Sequence, residues 1–298
     1  TGMGDYNQTG YWDEKDGGDR WKIIKLRAEA HNCIVINPDE NQDQIWESTA
    51  PITKYETDSY GGIALIDTTE LYAKNANNSK RGFFFTDNRQ SLVVRDEIDL
   101  KKESDIYWFM MTYSDTVMTK VDDRTVLLTQ GGKQLKVTFV TDADSAEISY
   151  AKAEPLAESY HNPDDKAVDA NRLAVKLHDS GSDTVSLTVK LTPVGIVGTE
   201  VSAYDFSMDD WRLPGLSVER VNGGCKVSGA VYCPDETPSF LAIAIKKGNV
   251  LTDISLKRYY GGYISVDEFT TCNDDETVCA YLMTDNLTPL CKNAETTP

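Results

Sequence analysis

The sequence predicts an all-β chain: a large antiparallel β-sandwich over residues 1–197, then a smaller immunoglobulin-like β-sandwich over 198–298. Three observations predict it. Short apolar or alternating runs, rich in β-branched and aromatic residues, recur from end to end. Turn formers such as Asn37-Pro38-Asp39, Gly131-Gly132 and Ser180-Gly181-Ser182-Asp183 separate those runs. Long stretches with a helical period are missing, and many short strands with polar turns argue for packed antiparallel sheets.

Taken in order, Ile23 to Leu26, Cys33 to Ile36 and Ile63 to Ile66 read as the first strands. Thr68 to Asn75 reads as a short helical turn or a strand. Gly82 to Thr86, Ser91 to Val94, Ile106 to Thr112, Thr125 to Thr129 and Leu135 to Val140 continue the series. Lys152 to Ala170 is polar and holds Pro155 and Pro163, which fits a surface loop and not a central strand. Arg172 to Leu177 and Val185 to Leu191 then form a hairpin around a Gly-containing turn. A boundary is expected near Pro193 to Gly198. Beyond it, Lys226 to Cys233, Ser239 to Lys246, Asn249 to Lys257, Tyr263 to Val266 and Thr277 to Thr284 supply the strands of the second sandwich.

With 298 residues, 40% of them hydrophobic and 26% charged, the chain can bury a sizeable core in two domains. Its net charge of −18 repels nucleic acid and anionic membranes, so nucleic acid is not an expected partner. No apolar run approaches the ~20 residues that span a bilayer. The chain opens on Thr1-Gly2-Met3-Gly4 without a basic n-region and apolar h-region, and is expected to come from the interior of a larger protein. None of the six cysteines has CxxC spacing, which argues against a zinc knuckle. Disulfides among the five in the last quarter stay open, and Cys33 reads as a buried thiol. Nucleophile-elbow, P-loop and HExxH signatures are absent.

Candidate chemistry gathers near the start. Tyr11 offers a proton donor or a stacking platform, against the alternative of an aromatic packing the sheet edge; Trp12 is in the same position. Arg20 and Arg27 could hold carboxylates by bidentate contacts, or pair with Glu29 and Asp19. His31, one of three histidines, could bind metal, move a proton or fill a polar gap beside a strand. Asn37 to Asp43 is an acidic loop without EF-hand spacing, and reads as a solvated turn. His161 and His178 read as solvent-facing.

The run Gly10-Tyr11-Trp12, then Arg20-Trp21-Lys22, then Arg27-Ala28-Glu29-Ala30-His31-Asn32 resembles the C-terminal β domain of heparinase II/III-like polysaccharide lyases. So does Lys80-Arg81-Gly82-Phe83-Phe84-Phe85 followed by Ser91 to Ile98, where an arginine precedes an aromatic strand and an aspartate ends the next. The resemblance covers roughly residues 1–195. It implies a part of an enzyme that cleaves uronic-acid glycans by β-elimination, with an upstream helical domain supplying the main catalytic groups. On that reading Tyr11 has a catalytic role, Trp12, Arg20 and Arg27 bind substrate, and His31 is one of three zinc ligands. Zinc is then expected in a full-length parent, its site incomplete here, and the chain alone is expected to be inactive. The implied partners are an acidic polysaccharide and the helical domain. The implied location is secreted or on a bacterial cell surface, and the tail resembles small β modules of bacterial surface proteins through Lys247-Gly248-Asn249-Val250-Leu251 and Tyr281 to Leu290. A non-catalytic carbohydrate-binding or cell-surface scaffold protein is the alternative.

Overall fold

A computed structural model describes residues 7–57, 61–87, 89–163, 168–196, 208–210 and 215–296. Its regular structure is almost wholly strand. The described residues fall into two compact units: 1–54, 64–82 and 94–191 form one, and 55–63, 83–93 and 192–298 the other. The expected boundary at 197/198 lies outside the described residues.

The sandwich has two antiparallel layers. One is a four-stranded sheet in the order β1 (Ile34–Ile36), β6 (Ser104–Tyr113), β11 (Ala170–Asp179), β10 (Ser145–Lys152). The other has eight strands in the order β2 (Ile52–Thr57), β3 (Gly62–Asp67), β4 (Ala76–Thr86), β5 (Ser91–Leu100), β12 (Thr184–Pro193), β9 (Lys133–Thr141), β8 (Thr125–Gln130), β7 (Val117–Lys120). Alternation explains how they pack. Leu173, Val175 and Leu177 of β11 share one face with Ile106 and Trp108 of β6 and Ile34 and Ile36 of β1. That face meets Ile98, Leu100, Val126, Phe139, Val185, Leu187 and Val189 in a single core. The opposite face of the four-stranded sheet carries Val35, Tyr107, Phe109 and Ala174, covered by Ala28 and Leu156. The N-terminal segment therefore lies on a sheet face, and that placement makes the candidate site.

This segment departs from expectation. Ile23 to Leu26 is no strand: Asp19–Lys22, Ile24–Leu26 and Ala28–Ala30 are three successive 3-10 turns. Ile23 and Ile24 are both buried, so the apolar run is anchored by burial without any ladder partner. Between Lys152, the end of one strand, and Ala170, the start of the next, the described residues form a loop, in keeping with its prolines.

In the second unit, one sheet runs β13 (Gly215–Val221), β14 (Gly224–Lys247), β16 (Thr277–Thr284), β17 (Ala294–Thr296), with β15 (Val250–Thr270) also paired to β14. The four strands expected between Lys226 and Val266 are the arms of one long hairpin. A register shift between Cys233 and Pro238 breaks it. Val227, Val231, Ile264 and Val266 on one side of that shift pack with Leu241, Ile243, Ile245, Val278 and Leu282 on the other, so the sheet wraps its own core. The described strands of this unit thus form one five-stranded antiparallel sheet.

Candidate functional site

Arg27 organises the N-terminal segment. It is 1% exposed. Its Nε donates to Glu29 Oε1 at 2.9 Å and its Nη1 to the Trp21 carbonyl at 3.1 Å. Nη2 donates to the Asp39 carbonyl at 2.9 Å, Asp43 Oδ1 at 2.8 Å and, at 3.4 Å, Ser159 Oγ. Consecutive 3-10 turns leave carbonyls without helical partners, and the guanidinium satisfies one of them while closing the loop that carries Asp39 and Asp43. The other Glu29 oxygen, Oε2, accepts the Leu156 amide at 2.7 Å, and Arg172 donates to the Glu29 carbonyl at 2.9 Å. Arg27 thus makes the pairing with Glu29 that stood as the alternative to a substrate contact; it is buried and also lines the cavity described below.

Asp43 was expected in a solvated turn. Instead its side chain is 1% exposed, and Oδ2 has no hydrogen-bond partner among the described residues. Burial pushes its carboxyl up to about 6; Arg27 opposes that shift and Glu29 adds to it.

Asp43 lines a cavity of about 500 Å³ within the first unit. Trp21 and Trp46 are its aromatic walls, their ring centroids 5.5 Å apart. His31, Gln42, Gln44 and Glu47 supply polar groups. Gln44 donates to the Tyr72 hydroxyl at 2.8 Å, and Gln42 accepts the Gly17 amide at 3.1 Å, so both sides of the cavity are tied to the scaffold. Glu47 has a φ of 65°, in the region that costs a residue with a Cβ about 1 kcal/mol or more. Cys33 also lines the cavity; its thiol donates to the Ala28 carbonyl, and burial pushes it up to about 12.

The remaining expected residues separate. Tyr11 is buried, its ring 4.8 Å from the Arg20 guanidinium and edge-on to Trp12 at 4.9 Å. Burial withholds it from solvent, and this packing is the alternative to a catalytic role. Trp12 is 69% exposed. Arg20 lies among three rings, Tyr11, Trp21 and Trp46, and donates to the Tyr11 carbonyl at 2.7 Å. Its Nε is buried without a hydrogen-bond partner among the described residues. His31 is exposed and its Nε2 lies 3.1 Å from the Lys25 carbonyl. Among the described residues no group of three His, Cys, Asp or Glu side chains could hold a metal ion, so His31 alone does not fit a zinc site. Outside this region, His178 bonds Asp105 at 2.8 Å, which raises its pKa, and His161 bonds the Leu156 carbonyl.

The two stretches that carry the resemblance meet at Arg81. Its guanidinium grips Asp96 through two bonds of 2.7 and 2.9 Å and donates to the Asn32 carbonyl at 2.9 Å. Asn32 Oδ1 accepts the Met111 amide at 2.7 Å. The His31-Asn32 step is thus fixed between β4 and β6. Sequence reasoning missed Asp43, Trp46, Gln42 and Gln44, since nothing in their spacing marks a loop that folds back onto an arginine.

No family model matches the chain, and no curated protein matches it in sequence. Among solved structures it is similar to a heparan sulfate lyase from Pedobacter heparinus, with 12% identity, a TM-score of 0.46, and coverage of 84% of this chain and 32% of that one. It is similar to heparinase III with 13% identity, a TM-score of 0.46, and coverage of 83% and 30%. An α-mannosidase of family GH92 from Bacteroides thetaiotaomicron follows with 9% identity, a TM-score of 0.30, and coverage of 60% and 27%. The chain spans about a third of the length of the two lyases, and no residue role transfers from such distant likenesses.

Proposed function

We propose that the chain is the glycan-binding β region of a polysaccharide lyase acting on uronic-acid glycans, and that it binds sugar without cleaving it. One observation carries the reading: a 500 Å³ cavity walled by Trp21 and Trp46 and edged by Gln42, Asp43, Gln44 and His31. Sugar rings present an apolar face and a rim of hydroxyls, which matches aromatic walls with convergent polar groups. Trp12, outside the cavity lining, is exposed and offers a further ring for stacking. The lyase assignment rests on the motif resemblance, with the main acid and base supplied by an upstream helical domain. Burial of Tyr11, the catalytic candidate, favours binding over chemistry within this chain. Secretion from a bacterium belongs to the same proposal. A zinc ion would need ligands beyond His31, from outside the described residues.

The test mixes the chain with a panel of uronic-acid polysaccharides and follows tryptophan fluorescence and the ultraviolet absorbance of unsaturated uronate ends. A saturable fluorescence change without new unsaturated ends is expected. New unsaturated ends would place the catalytic set within these residues and overturn the division of labour; no fluorescence change with any glycan would overturn the binding role.

A further inference from the structure

Cysteine placement in the second unit shows a feature that glycan binding does not use. Cys225 sits near the start of β14, opposite Thr270 at the end of β15, and Cys272 follows two residues later. Their sulfurs are 3.4 Å apart. Gly224 permits this approach: a Cβ there would lie 2.2 Å from the Thr270 carbonyl oxygen. Arg220 of β13, paired with Cys225 in register, holds the other partner's segment. It donates to the Asn273 carbonyl at 3.3 Å and to the Glu276 carbonyl, and its Nη1 lies 3.8 Å from Cys272 Sγ. Glu276 itself accepts the Asn273 amide at 2.8 Å, which closes the turn beyond Cys272. Cys225 is thus held in the ladder of β13, β14 and β15, and Cys272 in the turn that the Arg220 and Glu276 side chains fix. Cys33 and Cys279 differ from this pair: Cys33 Sγ faces a carbonyl and Cys279 Sγ faces the Glu295 carboxylate.

We propose that Cys225 and Cys272 are a redox-active pair, closed to a disulfide by a small disulfide oxidant such as oxidised glutathione. A disulfide needs the sulfurs at about 2 Å, so bond formation requires only a short closing movement from the observed contact. Cys225 is fully buried and Cys272 half-buried, so the oxidant meets Cys272 first. The Cys272 thiolate attacks one glutathione sulfur, the glutathione disulfide breaks, and one glutathione thiolate leaves. The Cys225 thiolate then attacks Cys272 Sγ, expelling the second glutathione thiolate. The two protein protons end on the two glutathiones, and the protein loses two electrons to the oxidant. Burial, with Cys272 adding, pushes the Cys225 thiol up to about 11, in keeping with its later entry.

The test equilibrates the full chain in mixtures of oxidised and reduced glutathione, then alkylates it under denaturing conditions. Peptides are mapped without reduction. The expected result is a mass loss of two hydrogens and one cross-linked pair of peptides, holding Cys225 and Cys272. Cys272→Ser removes the cross-link and Cys279→Ser leaves it. A cross-link through other cysteines, or alkylation of all six at every oxidant ratio, overturns the proposal. Mapping of the unsubstituted chain decides the matter even where a variant fails to fold.

Discussion

Arg27 bonds five internal acceptors, and two of them, Glu29 and Asp43, are acids that share its charge. Removing one partner of such a network leaves buried charge uncompensated, at a cost of about 3–5 kcal/mol. Arg27→Met is therefore expected to lower unfolding free energy by about that amount in urea titration; a loss near zero would mean the acids find water in its absence. Asp43 gives a second prediction. Its folded pKa, about 6, lies above the ordinary value of 3.8. Between those values the folded state binds more protons than the unfolded one. Its contribution is thus fully present below pH 3.8, and is lost as pH rises through about 6. A carboxyl carbon resonance titrating near 6, absent in Asp43→Asn, checks it; a midpoint at or below 4 would show that Arg27 dominates. Little of this was legible in the sequence. The pairing of Arg27 with Glu29, two residues on, stood among the readings. Asp43 lies sixteen residues away, across a fold-back that no local pattern encodes.

Strands were easier to read than the segments between them. Ile106 to Thr112 and Arg172 to Leu177 show the alternation that their two faces demand, and both became central strands of the smaller sheet. Ile23 to Leu26 misled because burial of an apolar run does not require a ladder: these residues pack in 3-10 turns. The long hairpin of β14 and β15 misled differently, since a bend at Cys233–Pro238 resembles the gap between two strands. Gly18 shows how tightly the turns close. A Cβ there would lie 2.1 Å from the Asp13 carbonyl oxygen. Gly18→Ala is expected to cost about 1–3 kcal/mol by thermal unfolding; an unchanged midpoint would show that Asp13 can move aside. In the second unit, a disulfide between Cys225 and Cys272 would close a span of 47 residues. On the chain-entropy account that stabilises by about 4 kcal/mol. Comparing urea midpoints of the oxidised and reduced chain checks it, and equal midpoints would mean that strain cancels the gain.

At the scale of the whole molecule, a charge of −18 sets two expectations. Self-repulsion weakens the folded state at low salt, so the thermal midpoint should rise from a few millimolar to about 0.15 M sodium chloride, where the Debye length is ~8 Å. A falling midpoint would show that attractive ion pairs, such as Lys226–Asp267 and Lys247–Asp275, outweigh the repulsion. The same charge limits how an acidic glycan can approach. On the proposed reading the contacts with sugar are then carried by aromatic surface, at Trp12, Trp21 and Trp46, with Arg20 set among the rings of Tyr11, Trp21 and Trp46. The all-β character was evident in the sequence because it repeats in every segment. The cavity was not, because Trp21, Trp46 and Leu71 come together only after the chain has folded.

The central claim is that this cavity binds sugar, and calorimetric titration of uronic-acid oligosaccharides into the chain and into Trp46→Ala tests it most directly. Trp46 is partly exposed and its truncation should leave the fold intact. Saturable binding to the chain, weakened about tenfold or more in the variant, is the predicted result; one stacking contact of about 1.4 kcal/mol corresponds to that factor. Equal affinity in both proteins, or no heat with any oligosaccharide, would contradict the account.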